Sequence, residues 1–204
     1  MQNYILNEGY QDTLNLFYNA NGSKIFLKKK KFIDLSMCAG SIILGHNHPF
    51  LKKTINKIFK KKISNLAAPN IFAENFAKNI LSLSSNFKKV IFCNSGTEAV
   101  IKSLRIARAI KKKSKIGYVI GGWHGSVDAL LYKSSNNLKP LEISSGLAKE
   151  NEKNLVMLPY NDIEKTKKIL DKNKKNMSSV IIEPIQGSLP DPNIKNYLKF
   201  LEKY

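Results

Sequence analysis

From about Lys88 onward the sequence alternates short apolar runs with longer stretches of helical periodicity, and this alternation limits the possible folds more than any other feature. Such a pattern is typical of repeated strand-helix units around a parallel sheet. Runs that are apolar on both faces indicate strands that helices cover from both sides. The sequence therefore predicts an α/β fold, with strands at residues 90–93, 116–120, 155–158 and 180–183.

The remaining elements follow from the same kind of pattern. Helices are expected to begin at Thr97, Gly125, Asp162 and Asn193, and the Ser-, Lys- and Glu-rich segment 138–153 is expected to be a mobile polar loop. The first 85 residues differ from the rest. There the sequence predicts short strands at 24–27 and 31–34, a glycine- and histidine-bearing loop at 40–49, a helix that begins at Pro49 and a second helix over 72–83.

The turn Asn94-Ser95-Gly96-Thr97-Glu98-Ala99 joins a predicted strand to a predicted helix. Backbone N–H groups in the first turn of a helix lack intrahelical partners and lie in a positive potential, and Gly96 lets an anion approach the backbone closely. The turn is therefore a candidate phosphate site. Ser95 followed three residues later by Glu98 is also a capping box, which many helices form without any ligand. The residues of the turn alone leave both interpretations open.

A net charge of +19 raises the possibility of nucleic-acid binding. However, only Arg105 and Arg108 among the 34 basic residues are arginines, whereas base and phosphate recognition favours the bidentate arginine fork. The lysines are scattered over predicted exposed faces, as solvated charge runs usually are. Nucleic-acid binding is therefore kept as a lesser alternative, and no nucleic-acid partner is predicted.

The cysteines offer little support for metal or thiol chemistry. Cys38 and Cys93 have neither a metal-ligand spacing nor a disulfide framework, so no metal site is predicted. Cys38 lies near His46 and His48 in the sequence, which leaves a thiol nucleophile with an imidazole base as a further alternative. No residue is found to orient such a pair.

Five short stretches, read in order and spacing, resemble one known family. They are Phe32-Ile33-Asp34-Leu35; Leu44-Gly45-His46-Asn47-His48-Pro49; Phe92 to Ala99 with Leu104-Arg105-Ile106-Ala107-Arg108; Trp123-His124-Gly125 with Asp128-Ala129-Leu130-Leu131; and Pro159-Tyr160-Asn161-Asp162 leading to Ile181-Ile182-Glu183-Pro184-Ile185-Gln186-Gly187. The chain resembles the class III pyridoxal-phosphate-dependent aminotransferases, and within them the glutamate-1-semialdehyde 2,1-aminomutase-like group. The likeness extends over nearly the whole chain.

The resemblance implies that pyridoxal 5'-phosphate is the cofactor and that Ser95, Gly96 and Thr97 hold its phosphate through hydroxyl and backbone N–H donors. A capping box can exist in the same turn, because it shapes the backbone that binds the phosphate.

The resemblance also implies residues that face the cofactor ring. Trp123, where the family more often has Tyr or Phe, would stack on the pyridine ring, and His124 would follow it into the same crevice. Glu183 would lie near the phenolic oxygen of the cofactor. The alternatives are an ordinary packed aromatic for Trp123, and a helix cap or a lysine partner for Glu183.

The fold that the resemblance implies is a three-layer parallel-sheet sandwich of the pyridoxal-phosphate transferase fold type I, truncated before the end of the large domain. Residues 1–60 would contribute to the small domain and the first helix, and residues 61–204 would form the first half of the large cofactor-binding domain. In the family, the carboxylate that pairs with the pyridine nitrogen and the Schiff-base lysine come later than Tyr204. No catalytic residue is therefore assigned in this chain.

The implied function is that of an aminotransferase or aminomutase that acts on a small amino or oxo compound and forms a homodimer when full length. The chain by itself is expected to be inactive, and a non-catalytic protein that retains the fold and the dimer surface is the alternative. The N-terminal residues lack the features of a secretory signal, and no apolar run is long enough to span a bilayer, so a cytoplasmic protein with no membrane partner is expected.

Overall fold

A computed structural model of the chain describes residues 17–61 and 69–204. By the contacts between residues, the chain divides into two units, 1–79 and 80–204. The elements of the first unit are β1 (Asn19–Asn21), β2 (Lys24–Leu27), β3 (Lys30–Ile33), α1 (Pro49–Lys60) and α2 (Ile71–Leu81), the last of which runs across the division.

The first unit is an antiparallel three-stranded sheet followed by helices, with β2 paired to both neighbours. The predicted strands near 24–27 and 31–34 and the helix that begins at Pro49 are confirmed. The side chain of His48 caps α1 by accepting a hydrogen bond from the Phe50 N–H at 3.2 Å. Nε2 of His46 lies 2.7 Å from Oδ2 of Asp34, and this hydrogen bond lowers the pKa of the Asp34 carboxyl. Each histidine near Cys38 therefore already has a structural partner.

The second unit contains the parallel sheet and its covering helices. Its elements are α3 (Gly96–Lys111), β4 (Lys115–Val119), a short 3₁₀ turn (Asp128–Leu130), β5 (Tyr132–Ser134), β6 (Pro140–Glu142), α4 (Lys149–Lys153), β7 (Leu155–Leu158), α5 (Ile163–Asn173), β8 (Met177–Ile181) and α6 (Lys195–Lys203).

The parallel sheet has the order β7-β4-β8. Ile116 of β4 stands opposite Leu155 of β7, and Tyr118 stands opposite Ile181 of β8. Parallel strands need long crossover connections, which here are the segment with β5, β6 and α4 between β4 and β7, and α5 between β7 and β8. The predicted α/β class with a parallel sheet is confirmed.

Both faces of the sheet are covered, because the side chains of β4 alternate between two apolar clusters. Ile116 and Tyr118 pack on one face with Leu104 of α3, and Val119 packs on the other face with Leu170 of α5 and Tyr197 of α6. At Gly117, on the α5 face, a Cβ would lie 2.9 Å from Leu158 Cδ1 and 2.7 Å from Met177 Cε, so a larger residue there would require these side chains to move. The second unit therefore has three layers.

Three local predictions are wrong. Residues 90–93 form no strand, because they enter no backbone ladder within the described residues, and Ile91 is 61% exposed. No helix begins at Gly125, since its φ of +74° is left-handed and the chain then forms only the 3₁₀ turn. Segment 138–153 is not an irregular loop, because it contains β6 and α4. The last predicted strand, 180–183, also lies earlier in the chain, as β8.

Within residues 17–61 and 69–204, no helix combines the length and the apolar character that crossing a membrane requires.

Candidate functional site

The turn before α3 forms the capping box that its sequence predicts. The Glu98 N–H donates to Ser95 Oγ at 3.1 Å, and the Asn94 N–H donates to Glu98 Oε2 at 2.9 Å. Glu98 Oε1 also pairs with Lys102 Nζ at 2.5 Å, and this partner is the main cause of the lowered pKa of Glu98. The lysine offsets a negative charge that would otherwise repel an anion at this helix end.

The backbone at Gly96 is open. A Cβ placed there would meet no heavy atom within 4 Å, and both Ser95 and Gly96 are exposed. The Ser95 hydroxyl accepts from Glu98 and keeps its own hydrogen for another acceptor. The N-terminus of α3 therefore combines backbone donors, a hydroxyl donor and room for an anion.

Thr97 joins this helix end to the loop that follows β4. Its Oγ1 accepts a hydrogen bond from the Ser126 N–H at 3.1 Å, so its own hydroxyl hydrogen is also available. A Cβ on Gly125 would overlap Thr97 Oγ1 and lie 3.1 Å from Thr97 Cα. Gly125 is therefore required both for its left-handed backbone and for this close approach.

The turn between β4 and this loop is held by side chains of the sheet. Gly121 has a φ of +89°, and beside it the nearly buried Gln186 donates from Nε2 to the Ile120 carbonyl at 2.7 Å. The Tyr118 hydroxyl donates to the Gly122 carbonyl at 3.0 Å. These bonds fix the backbone that presents the next two residues of the loop.

Glu183, just beyond the carboxyl end of β8, holds two backbone segments at once. Its Oε2 accepts from the Trp123 N–H at 2.9 Å, and its Oε1 accepts from the Gly187 N–H at 3.1 Å. The structure shows no lysine paired with this carboxylate among the described residues. The Trp123 side chain is 70% exposed and does not belong to the core, so an ordinary packed aromatic is not what the structure shows.

His124 points inward from the same loop. Its ring meets Tyr118 edge-on, with centroids 5.5 Å apart and planes at 81°. Its Nε2 is buried and has no hydrogen-bond partner among the described residues. Burial lowers the pKa of the imidazole, although the Glu183 carboxylate opposes the shift, and burial also raises the pKa of Tyr118. Burial thus favours the neutral form of His124, whose Nε2 is an unused polar atom for a ligand.

Contacts thus link all the predicted binding residues along the carboxyl edge of one sheet. Thr97 contacts the loop at Gly125 and Ser126, and Glu183 contacts the same loop at Trp123. This edge is where parallel α/β sheets bind ligands. The arrangement has donors for a compact anion at one end, and an exposed indole with an unpaired imidazole nitrogen at the other.

The sequence reasoning did not find two residues that support the site. Tyr118 lies inside an apolar strand, and Gln186 was noted only as part of a motif. A signal existed for each, because a tyrosine hydroxyl or a glutamine in a buried stretch requires a hydrogen-bond partner.

Known proteins are similar to this chain over most of its length, in sequence and in fold. The profile of the Aminotransferase class-III family matches residues 5–191. A glutamate-1-semialdehyde 2,1-aminomutase of Methanosphaera stadtmanae is 32% identical over 188 residues, which are 91% of this chain and 44% of that protein. Another, of Fusobacterium nucleatum subsp. nucleatum, is 36% identical over 171 residues, which are 82% of this chain and 39% of that protein. The chain spans less than half the length of these relatives.

Solved structures with the same fold include a transaminase with PLP bound, with a TM-score of 0.84, 24% identity and coverage of 95% of this chain and 46% of that chain. A glutamate-1-semialdehyde aminomutase from Pseudomonas aeruginosa PAO1 gives a TM-score of 0.74 at 16% identity, and covers 92% of this chain and 42% of that chain. At these identities the likeness concerns the fold.

Proposed function

The chain belongs to the class III aminotransferase family, and from this premise we propose that it binds pyridoxal 5'-phosphate along the carboxyl edge of its sheet and serves in amino-group transfer. The fold is that of the fold type I pyridoxal-phosphate enzymes, as expected. The reaction is proposed for the whole protein, since the chain covers 44% of the first relative.

The proposal rests on one loop, which carries the exposed ring of Trp123 and is hydrogen-bonded to Thr97 at the open N-terminus of α3. Residue 126 of this loop donates to Thr97 beside the helix end, and residue 123 donates to Glu183. A phosphate needs the open helix N-terminus, and a planar ring needs the exposed aromatic side chain. The orphaned Nε2 of His124 lies between these two anchors in sequence and fits a polar group of the same ligand.

Each residue then has a distinct task. Ser95, Gly96 and Thr97 would bind the phosphate dianion with hydroxyl and N–H donors. The indole of Trp123 would stack on the pyridine ring and exclude water from its face. Glu183 would keep the loop backbone in place and present its carboxylate near the phenolic oxygen. When bound, the cofactor supplies an electron sink for the carbanion that forms when the substrate loses a proton.

The names of the most similar relatives suggest the class of substrate. Those above 30% identity include glutamate-1-semialdehyde 2,1-aminomutases, which favours an aminomutase that acts on a small amino and oxo compound. An intermolecular aminotransferase is the second candidate, because solved transaminases share the fold. Supplying the whole protein with glutamate 1-semialdehyde, with and without a separate amino donor, distinguishes the two reactions. Binding of the cofactor without either reaction would favour the non-catalytic alternative.

We also propose that the whole protein forms a homodimer, that it is located in the cytoplasm, and that a domain boundary lies near residue 60. Light scattering after size-exclusion chromatography tests the first, and cell fractionation tests the second. Limited proteolysis followed by mass spectrometry tests the third, because linkers between domains are cut first.

Cofactor binding has a direct test, since Trp123 is the only tryptophan of the chain. Adding pyridoxal 5'-phosphate to the protein should quench its fluorescence through the stacked ring. Gly96→Asp should fold normally, because no atom lies near the new Cβ and an acid stabilises a helix N-terminus. It should nevertheless repel the phosphate and weaken binding by about 100-fold, an effect on the order of 3 kcal/mol.

Gly96→Ala is the matched control, since it adds a side chain without a charge. It should fold normally and bind more tightly than the Asp variant, because its methyl group meets no protein atom and adds no negative charge. An unquenched tryptophan in the unmodified protein, or equal binding by the Asp and Ala variants, would contradict the proposed site.

A further inference from the structure

The opposite edge of the parallel sheet carries a second cavity that no part of the proposed function uses. It has a volume of about 600 Å³ and is lined by Arg108, Lys112, Lys113, Ser114, Lys115 and Asn176. β4 begins at Lys115 and β8 begins directly after Asn176, so the cavity lies at the amino ends of both strands. At a strand rise of ~3.3 Å per residue, this edge is about 15 Å from the cofactor edge. We call it the basic-edge cavity.

The cations of the basic-edge cavity have no acidic partner. None of the lining residues is a carboxylate, and none of its cations forms an ion pair in the described part of the chain. Their hydrogen-bond acceptors are neutral. Arg108 Nε donates to the Ser114 carbonyl at 3.2 Å, Lys113 Nζ to the Lys174 carbonyl and Lys115 Nζ to Asn173 Oδ1, both at 3.4 Å. The cavity therefore concentrates uncompensated positive charge.

The end of α3 explains only part of this cluster. Basic side chains are favoured at a helix C-terminus by the helix dipole, whether or not a ligand is present. That reason applies to Arg108 in the last turn and to Lys112 at the cap. It does not apply to Lys113 and Lys115, which follow the left-handed cap residue, with a φ of 53°, and line the same cavity as the helix end.

We propose that the basic-edge cavity binds a compact polyphosphate chain, either free or as the phosphate part of a nucleotide. Several like charges around one concavity suit a ligand with several negative charges over a short length. Among residues 17–61 and 69–204, no aromatic or apolar side chain lines the cavity, so these residues offer no surface for stacking a base. A nucleic-acid strand, in contrast, needs a long basic groove with aromatic stacking platforms. The phosphates themselves are therefore what the cavity recognises.

The first test measures the binding of sodium tripolyphosphate to the whole protein by isothermal titration calorimetry, at near-physiological salt. The double variant Lys112→Gln/Lys113→Gln removes two exposed cations from the cavity without disturbing a core residue. It should weaken binding by about tenfold or more. The matched control Lys167→Gln/Lys168→Gln removes the same charge from the exposed face of α5 and should change binding by less than about twofold.

Further arms test whether the phosphate chain alone is recognised and which site recognises it. Adenosine triphosphate should bind within about threefold of tripolyphosphate, and inorganic monophosphate should bind at least about tenfold more weakly. The Gly96→Asp variant should keep its tripolyphosphate binding, because its change lies at the other edge of the sheet. This arm distinguishes a failure of the basic-edge cavity from a failure of the proposed cofactor site.

Four results would overturn the proposal. They are no binding of tripolyphosphate by the unmodified protein, equal losses in the cavity variant and the α5 control, loss of binding in Gly96→Asp, and tighter binding of an oligothymidylate that depends on Lys112 and Lys113.

Discussion

At the carboxyl edge of the parallel sheet the polar groups bond one another, whereas at the amino edge the charged groups surround a cavity and have no acidic partner in the described part of the chain. Glu183 binds two backbone N–H groups at the first edge, and Gly125 lies against Thr97. At the second edge the acceptors of Arg108 and Lys115 are neutral oxygens. The comparison indicates that backbone geometry shapes the candidate cofactor site at the carboxyl edge. At the amino edge, positive charge is the main property of the cavity.

Gly125→Ala should give the largest effect at the carboxyl edge. The substitution forces an L-residue into a left-handed backbone and drives its Cβ into Thr97, so we expect a loss of about 3–5 kcal/mol in the free energy of unfolding, and no measurable cofactor binding. Urea denaturation and the Trp123 fluorescence titration measure the two effects.

Gly146→Ala is the matched control for this prediction. Gly146 has a φ of +89° but no heavy atom within 4 Å of a built Cβ. The free energy of unfolding of Gly146→Ala should therefore fall by only about 1–2 kcal/mol, the cost of the left-handed backbone, and its cofactor affinity should be unchanged. Equal losses in the two variants would show that the contact with Thr97 does not hold this edge.

Glu183→Gln should weaken cofactor binding by about tenfold, since an amide has one oxygen and must turn its NH₂ group towards the other backbone N–H. Fluorescence titration of Trp123 measures the affinity. Glu164→Gln, in the first turn of α5, removes the same charge away from the site and should leave the affinity unchanged. An unchanged affinity in Glu183→Gln would contradict the proposal that the two hydrogen bonds of this carboxylate shape the cofactor site.

Ser95→Ala and Asp162→Ala compare a cap at the candidate site with a cap elsewhere. Each side chain accepts one N–H at the start of its helix, at 3.1 Å and 2.9 Å, so each variant should lose about 1 kcal/mol of unfolding free energy. Only Ser95→Ala should also weaken cofactor binding, because only that hydroxyl is expected to face the phosphate. Denaturation curves and fluorescence titrations of both variants test this, and equal cofactor affinities would remove Ser95 from the proposed site.

The smallest expected effect is a pH dependence that comes from His124. Its pKa in the folded chain is lowered by burial below the ordinary value of 6.5. Above that value both states are neutral and the contribution to stability is complete. As the pH falls through it, the unfolded chain takes up the proton first, so stability is lost until the folded-state pKa is passed.

Urea midpoints between about pH 7.5 and about pH 5 should therefore fall more steeply for the unmodified protein than for His124→Gln. Equal slopes in the unmodified protein and His124→Gln would mean that this imidazole is not desolvated in the fold.

Local chemistry explains which elements were predictable. The boundaries of β7 and the starts of α1 and α3 follow from apolar runs, a proline at the first helical position and a capping box, all of which act within a few residues. Segment 90–93 has an equally strand-like pattern but lacks a ladder in the described residues, and a strand depends on a partner that its own sequence does not contain.

The residues of the candidate site also fall into those whose role follows from local sequence and those whose role depends on tertiary packing. Ser95, Gly96 and Thr97 could be proposed from the sequence, because one turn contains a capping box, a glycine and hydroxyl donors, and the resemblance to a family favoured phosphate binding over capping alone. The support given by Tyr118 and Gln186 could not be assigned from the sequence, because each bonds a carbonyl whose position depends on the packed sheet and its loop. The helix predicted at Gly125 failed for a similar reason, since the contact with Thr97 decides the backbone there.

The sequence by itself determined the parallel α/β class and the capping box before α3, because apolar periodicity and capping motifs express local physical preferences. The family followed from short motifs that resemble those of known proteins. Only the tertiary structure decided three features: Glu183 bonds the Trp123 backbone, a buried nitrogen of His124 has no partner among the described residues, and cations of α3 and β4 line one cavity. These facts depend on distances between residues far apart in the chain, and such distances are fixed only when both faces of the sheet are packed.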